Sequence, residues 1–314
     1  MNPAARSAFH EGELQLQVRA GVRERLGDGA FIRDFMPQQH RDFFALLPFV
    51  LVGSVDADGQ PWASILTGPP GFVQSPDPRL LSVRAQASAH DPLLANLQAG
   101  AAIGMLGIQP HTRRRNRLNG HVMALDEPAF MVRVDQSFGN CPKYIQAREA
   151  TYTGDARAVA VERMERLDDM ACGLIRSADT FFIATAHPQA RTSTTHERGV
   201  DVSHRGGKPG FVRVDGGNVL TVPDFTGNSF FNTLGNLALE PRCGLLFIDF
   251  ELGDTLQIAA RAQVVTGGDE LASFRGALRL LRLEVAHAVR ARHALPLAWT
   301  SAEPSPVLEA TGHW

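Results

Sequence analysis

The segment Val202–Gly210, VSHRGGKPG, sets a hydroxyl (Ser203) and two cations (Arg205, Lys208) around a Gly-Gly pair. Glycine lets a backbone approach a ligand closely, and phosphate takes charge-assisted donors of this kind. A hairpin with surface charges has the same composition, so the segment alone leaves both readings open. Pro223–Asn228, PDFTGN, leads into a helical stretch. Backbone N–H groups at a helix start bind anions, and Thr226 and Asn228 are the residues that either cap that helix or donate to a ligand. His111–His121, HTRRRNRLNGH, alternates when read as a strand. Arg113, Arg115, Arg117, Asn119 and His121 then share one face, which suits either a phosphate or acidic ligand or a solvated surface.

Gln136–Ile145, QSFGNCPKYI, reads as a turn leading to a helix, with Asn140, Lys143 and Tyr144 as polar groups for a cleft. Nothing singles out a base for Cys141, so a buried thiol is expected there. His187, His196 and His204 lack ligand spacing, and no metal site is expected. There is no GxGxxG opening a βαβ unit and no Walker loop. A nucleotide cofactor would therefore be held outside those folds. The basic run is short, carries no interleaved aromatics for base stacking, and sits in a chain of net charge −2. Nucleic acid is not expected as a partner.

The elements that must position these residues come in two copies. Pro70-Gly71-Phe72-Val73 recurs as Pro209-Gly210-Phe211-Val212, with Ser64 against Ser203 and Gly68 against Gly207. FVLVGSV (Phe49–Val55) matches TFFIATA (Thr180–Ala186), and GMLGI (Gly104–Ile108) matches GLLFI (Gly244–Ile248). The second copy carries a longer loop, HPQARTSTTHERG, between its first two strands. An ordered series of matches indicates an internal repeat.

Each copy reads as a lead-in helix (QQHRDFFALL or DDMACGLIRSA), an apolar strand, a turn, a second strand and Pro-Gly-Phe-Val. A helix and further strands follow. The first copy's later helix opens at Asp91-Pro92; the second copy has a hairpin at Asp215–Asn218. Thr255–Val265 puts Leu256, Ile258, Ala260, Ala262 and Val264 on one face. Mostly antiparallel strands with few helices suggest small closed barrels. The expected fold class is mainly β with helices (α+β): two tandem split β-barrels paired as a pseudo-dimer, with N- and C-terminal helices. Residues 1–150 form the first expected domain and 151–314 the second. The C-terminal helix is expected from Leu271, Phe274, Leu278, Leu281, Val285 and Val289 on one helical face. Arg275, Arg279, Arg282, Arg290 and Arg292 would then form its solvated side.

Bulk properties agree. The 314 residues are 44% hydrophobic and 20% charged, enough for a real core. Cys141, Cys172 and Cys243 are scattered, consistent with reduced thiols in a cytoplasmic protein. No apolar run approaches the roughly 20 residues of a membrane span. MNPAARSAFHEGE has no apolar core, so it does not read as a secretory signal.

The second copy, GVDVSHRGGKPGFVRV followed by LTVPDFTGNSFFNTLGNLALEPRCGLLFID, resembles the pyridoxamine 5′-phosphate oxidase-like FMN-binding split barrels. A subgroup of these reads D-x-S-x-R-G-x-x-P-G-F-V, then P-D-x-x-G-N. The first copy, with DGQPWASILTGPPGFV, HTRRRNRLNG and SFGNCPKYI, looks like tandem members of that superfamily. The resemblance covers about residues 36 to 265. It implies FMN in a cleft between two barrels, here both from one chain. It also implies phosphate contacts from Ser203, Arg205 and Asn228, with Arg115, Arg117 and the segment around Lys143 closing the cleft from the partner barrel.

Two departures stand out. Ser229 and Phe230 stand where the subgroup often carries basic residues, and SILTGPP in the first copy stands where SHRGGKP does in the second. At most one good site per chain follows. The resulting expectation is an FMN-dependent oxidoreductase acting on an unidentified small molecule, with a homodimer allowed for and no acid or base assigned. The alternatives are a non-catalytic binding module for flavin, haem or another anionic ligand, and an electron-transfer partner for a separate reductase.

Overall fold

The computed structural model describes residues 7–85, 87–126, 128–155, 159–216 and 218–314. Residues 1–6 of the N-terminal stretch and Gly217 of the expected hairpin lie outside the described residues.

Three helices open the chain: α1 (Glu11–Arg19), α2 (Arg23–Leu26) and α3 (Gln38–Ala45). The first sheet uses β1 (Phe49–Val55), β2 (Pro61–Thr67), β3 (Val73–Asp77), β4 (Leu80–Arg84), β5 (Ala102–Gln109), β6 (Arg114–Asp126) and β7 (Ala129–Gly139). The short helix α4 (Leu93–Asn96) lies before β5. After β8 (Ala150–Tyr152), β9 (Ala160–Met164) and α5 (Asp169–Ser177) come β10 (Thr180–Ala186), β11 (Val200–Gly206), β12 (Arg213–Asp215) and β13 (Val219–Phe225). Helix α6 (Asn232–Leu239), β14 (Arg242–Ile248), β15 (Thr255–Val265), α7 (Asp269–Ser273), β16 (Ala277–Arg292) and β17 (Leu297–Trp299) complete the chain.

The strand orders are β2-β1-β5-β6-β7-β4-β3 and β11-β10-β14-β15-β16-β13-β12, with β9 added beside β16. Position for position these are one topology written twice, all antiparallel in their pairings. The repeat in the sequence is therefore a repeat of the fold. At the expected boundary, β8 pairs with β17, so residues 150–152 are tied to the C-terminal tail.

The apolar runs that mark the repeat have a physical cause. In β1, Val50 and Val52 face the interior of the first barrel, while Phe49 and Leu51 face the second. In β10, Phe181 and Ile183 enter the second barrel's core, while Phe182 and Ala184 face the first. A strand buried on both faces reads as a continuous apolar run rather than an alternation. The first glycines of GMLGI and GLLFI lie on the shared face. A Cβ on Gly104 would sit 2.3 Å from the Val200 carbonyl oxygen, and one on Gly244 would sit 2.3 Å from that of Pro61. Each barrel thus lays its β5 or β14 backbone against the partner's β11 or β2, the same contact made twice.

The C-terminal helix expected over Leu271–Val289 is instead mostly the 16-residue strand β16, paired with β13, β15 and β9. Its Leu, Ala and Arg residues favour helix locally, but pairing on both edges decides the outcome. Leu281, Leu283 and Val285 fill the barrel core at period two. The arginines expected as a solvated face are largely ion-paired: Arg279 with Asp224, Arg282 with Glu270, Arg290 with Asp168, and Arg292 with Glu162. The segment after Gly139 is also not helical; it runs irregularly past Tyr144, whose φ is 65°. No helix long and apolar enough to cross a membrane occurs among the described residues.

Candidate functional site

Strand β11 puts Asp201, Ser203 and Arg205 on one face, and β6 puts Arg115, Arg117 and Asn119 on one face. The fold turns these two faces towards each other across the barrel–barrel cleft. Arg117 Nη1 donates to Asp201 Oδ1 at 2.9 Å, and its Nη2 donates to Ser203 Oγ. Asn119 and Asn236 each donate to Asp201 at 2.8 Å. Thr233 of α6 donates to Ser203 at 2.9 Å. A second cluster lies beside the first: Arg205 and Arg279 reach the two oxygens of Asp224 at 2.6 and 3.0 Å.

Arg115 is different. Its Nε donates to the Cys141 carbonyl at 2.9 Å, Nη1 to His204 Nδ1 at 3.2 Å, and Nη2 lies 3.6 Å from Cys141 Sγ. No carboxylate pairs with it among the described residues. Because Nδ1 of His204 accepts from a guanidinium, that ring is neutral with its proton on Nε2. Burial, and then the nearby arginines led by Arg115, hold the His204 pKa well below the usual value.

Arg115, Arg117, Ser203, His204, Arg205, Asp224, Thr233 and Arg279 line a cavity of about 280 Å³, with Asp201, Asn119 and Asn236 behind its wall. Four guanidiniums line it (Arg115, Arg117, Arg205, Arg279) with one carboxylate (Asp224), and Asp201 pairs with Arg117 just behind the wall, so the wall and its buried counter-ions together carry 4 − 2 = +2. Arginine does not deprotonate in proteins, so burial leaves these charges in place. Three buried donors here, Arg117 Nε, Arg205 Nε and Asn140 Nδ2, lack a protein acceptor among the described residues. The chemistry of the site is an excess of donors and positive charge.

Of the residues singled out from sequence, Arg115, Arg117, Asn140, Ser203, Arg205, Thr226 and Asn228 line this one cavity. Lys143 lines an adjoining cavity of about 70 Å³ that shares Arg115, Cys141 and Arg205 with the first. Lys208 is elsewhere; its Nζ donates to the Thr311 carbonyl of the C-terminal tail at 2.9 Å. Arg113 leaves the arginine row because its φ is 54°, and it pairs with Glu303.

Thr226 and Asn228 do not cap α6, which begins only at Asn232 after Ser229 and Phe231, both with φ of 66°. Asn228 instead accepts from the Phe230 N–H and donates to Asn140 across the cleft, each at 3.1 Å. Cys141 is half-buried rather than buried.

Sequence reasoning missed Asp201, Asp224, Arg279, His204 and Thr233. Asp201 was legible as the same-face neighbour of Ser203. Arg279 was hidden by the helical reading of β16.

In the pseudo-symmetric position, Ser64, Leu66, Gln257 and Thr255 stand where Ser203, Arg205, Arg117 and Arg115 stand. Gln257 there donates to Ser64 and to the Ala63 carbonyl. None of those four residues is a cation.

One histidine–carboxylate group lies at metal-ligand separations among the described residues: His10, Glu11 and His187. His10 Nδ1 accepts the Gly12 N–H at 3.1 Å, and His187 Nδ1 accepts the Gln189 N–H at 3.0 Å. Each neutral ring therefore carries its proton on Nε2, and His187 shares its proton with Glu11 at 3.1 Å. A metal on those Nε2 atoms would make each Nδ1 a donor facing a donor. The group is better suited to holding α1 against the long loop of the second copy.

Residues 36–165 match the family model described as pyridoxamine 5′-phosphate oxidase. That span covers the first barrel and the linker after it, with Arg115, Arg117 and Lys143; Ser203 and Arg205 lie outside it. No curated protein matches the chain. Among solved structures, the H111A form of HupZ from Group A Streptococcus aligns at 11% identity over 39% of this chain and 98% of its own, with a TM-score of 0.30. A FAD-binding protein from Mesorhizobium loti aligns at 12% identity over 42% of this chain and 97% of its own, with a TM-score of 0.27. The chain thus resembles the pyridoxamine 5′-phosphate oxidase family over residues 36–165, and its two large antiparallel sheets flanked by helices fit a tandem split-barrel arrangement.

Proposed function

We propose that this chain binds flavin mononucleotide in the cleft between its two barrels and serves as an FMN-dependent oxidoreductase for a small molecule. The observation that carries the binding reading is Arg115, a cation without a carboxylate partner in a cavity wall of net charge +2. A phosphate monoester carries about −1.5 to −2 at neutral pH and three acceptor oxygens, which complements both the charge and the donor excess. A cavity of about 280 Å³ lies near the lower end of small-molecule sites, roughly 300–1,000 Å³. It suits the phosphate-bearing end of such a ligand.

Arg115, Arg117, Arg205 and Ser203 would hold the phosphate, with Asn228 and Thr226 at the rim. Asp201 and Asp224 fix the guanidiniums in place, so little side-chain ordering is left for the binding step. Lys143 extends the positive field into the adjoining cavity. Bound flavin would supply hydride or electron transfer, while the protein binds, orients and tunes it.

A specific observation favours a second reading, a binding module without turnover. Asp201 and Asp224 are committed to ion pairs, and His204 accepts from Arg115. No free acid or base is left among these groups.

The test is a spectrum and a titration. Purified protein, or protein mixed with FMN, should show flavin absorbance and bind FMN in preference to riboflavin, which lacks the phosphate. Arg115→Gln should weaken FMN binding about 10- to 100-fold, the loss of a charged hydrogen bond of about 1.5–3 kcal/mol, while Arg275→Gln should leave it unchanged. A colourless protein with no FMN affinity would refute the binding reading. Bound flavin that no reductant or oxidant turns over would select the second one.

A further inference from the structure

We infer that the N-terminal segment Ala8–Val22 is part of the ligand site: it forms a third wall of the anion cavity, and ligand exchange requires it to part from α6. The inference rests on reading this cavity as the ligand site. Neither barrel supplies Ala20 and Val22, yet both line the cavity. They are held there by α1, which lies on α6, the helix whose Asn232, Thr233 and Leu234 line the same cavity.

The seam between these helices is a glycine pair. A Cβ on Gly12 would sit 2.3 Å from the Gly235 carbonyl oxygen, and one on Gly235 would sit 2.8 Å from the Glu13 nitrogen. Glycine inside a helix costs about 1 kcal/mol relative to alanine; here it permits backbone contact that no other residue allows. Polar groups fasten the seam on both sides. Glu13, 3% exposed, accepts from the His10 N–H at 2.9 Å and from Asn232 Nδ2. Gln17, fully buried, donates to the Phe230 carbonyl at 3.2 Å. Phe9 packs within the Phe31–Phe230 cluster. At the outer end, Glu11 pairs with His187 and Arg198 of the long loop that only the second copy has. That insertion therefore has a task, which is to anchor the segment over the cavity lined by Arg115, Arg117, Arg205 and Arg279.

Access to the cavity can be read without any ligand through Cys141, which lines it, while Cys243 is fully buried in the barrel core. Gly12→Val in the full-length protein removes the seam without changing a cavity-lining residue. Iodoacetamide labelling followed by mass spectrometry should show Cys141 modified at least ten-fold faster than in wild type, with Cys243 still protected. Limited trypsin digestion should cut faster at Arg19, and FMN should dissociate correspondingly faster. Gly173→Ala, where a Cβ meets nothing within 4 Å, should match wild type in every readout.

Should Cys243 also become labelled, the barrel has opened, and Gln17→Ala is read in place of Gly12→Val against the same ten-fold criterion. Faster tryptic cutting with Cys141 labelling within two-fold of wild type would overturn the inference, as would unchanged cutting in both variants. Faster Cys141 labelling in a protein that binds no FMN would support the wall while refuting the flavin reading.

Discussion

Asp201 is the residue whose removal tests the site most severely. It is buried at 5% exposure and accepts from Arg117, Asn119 and Asn236. At the 2.9 Å separation from Arg117, Coulomb's law with an effective dielectric of about 20 gives an attraction of roughly 6 kcal/mol. Part of that offsets the cost of burying both ions, and breaking one side of such a pair typically costs about 3–5 kcal/mol. Asp201→Asn keeps the shape but places an amide NH₂ among three donors and leaves Arg117 uncompensated. At about 2–4 °C per kcal/mol for a domain of roughly this size, the melting temperature should fall by about 6–20 °C. The same change raises the cavity charge from +2 to +3, so anion binding should tighten while stability drops. FMN or inorganic phosphate should therefore restore more of the melting temperature in Asp201→Asn than in wild type, since ligand that binds only the folded state stabilises it by mass action. Differential scanning calorimetry with and without each ligand measures both effects, with the exposed Glu149→Gln as control. A variant that melts with wild type, or whose melting temperature is no more anion-sensitive, would show that the Arg117–Asp201 pair does not organise the cavity.

Two further outcomes follow from the geometry. Lys208→Gln should leave FMN affinity within two-fold of wild type, because its ammonium is engaged by the Thr311 carbonyl; its effect should be faster proteolysis of the C-terminal tail. Burial, only partly opposed by Asp201, lowers the His10 pKa from 6.5 to about 4. The unfolded chain then binds the extra proton between those values, so stability is present above pH 6.5 and lost as pH falls towards 4. The loss is at most about 3 kcal/mol. His10→Gln should remove that part of the acid dependence in melting curves between pH 4 and 7, and an unchanged pH profile would contradict the buried neutral ring.

The sequence by itself determined the repeat, and with it the paired barrels. Apolar runs such as FVLVGSV and TFFIATA read as buried on both faces, and two copies of one strand order can bury their outer faces against each other. It also determined which of the two matching loops carries cations, because His204-Arg205 and Lys208 in the second copy stand where the first has Ile65-Leu66 and Pro69. Side-chain alternation in β6 and β11 put Arg115, Arg117, Ser203 and Arg205 within reach of one cavity.

What the sequence did not determine were partnerships between distant segments. Lys208 sits in the most phosphate-like motif of the chain, yet the C-terminal tail takes it. Arg279 was masked because its segment has helical composition, and only pairing between β13 and β15 makes it a strand facing Asp224. Gly12 and Glu13 gave no local signal at all, since a helix–helix seam exists only once α6 is in place beneath them. Local chemistry and period fix what a residue is able to do; the tertiary structure decides which of its donors remain free to do it, because a buried charge takes the counter-charges and acceptors that the fold brings within reach, and among the described residues Arg115 is brought none of the carboxylates.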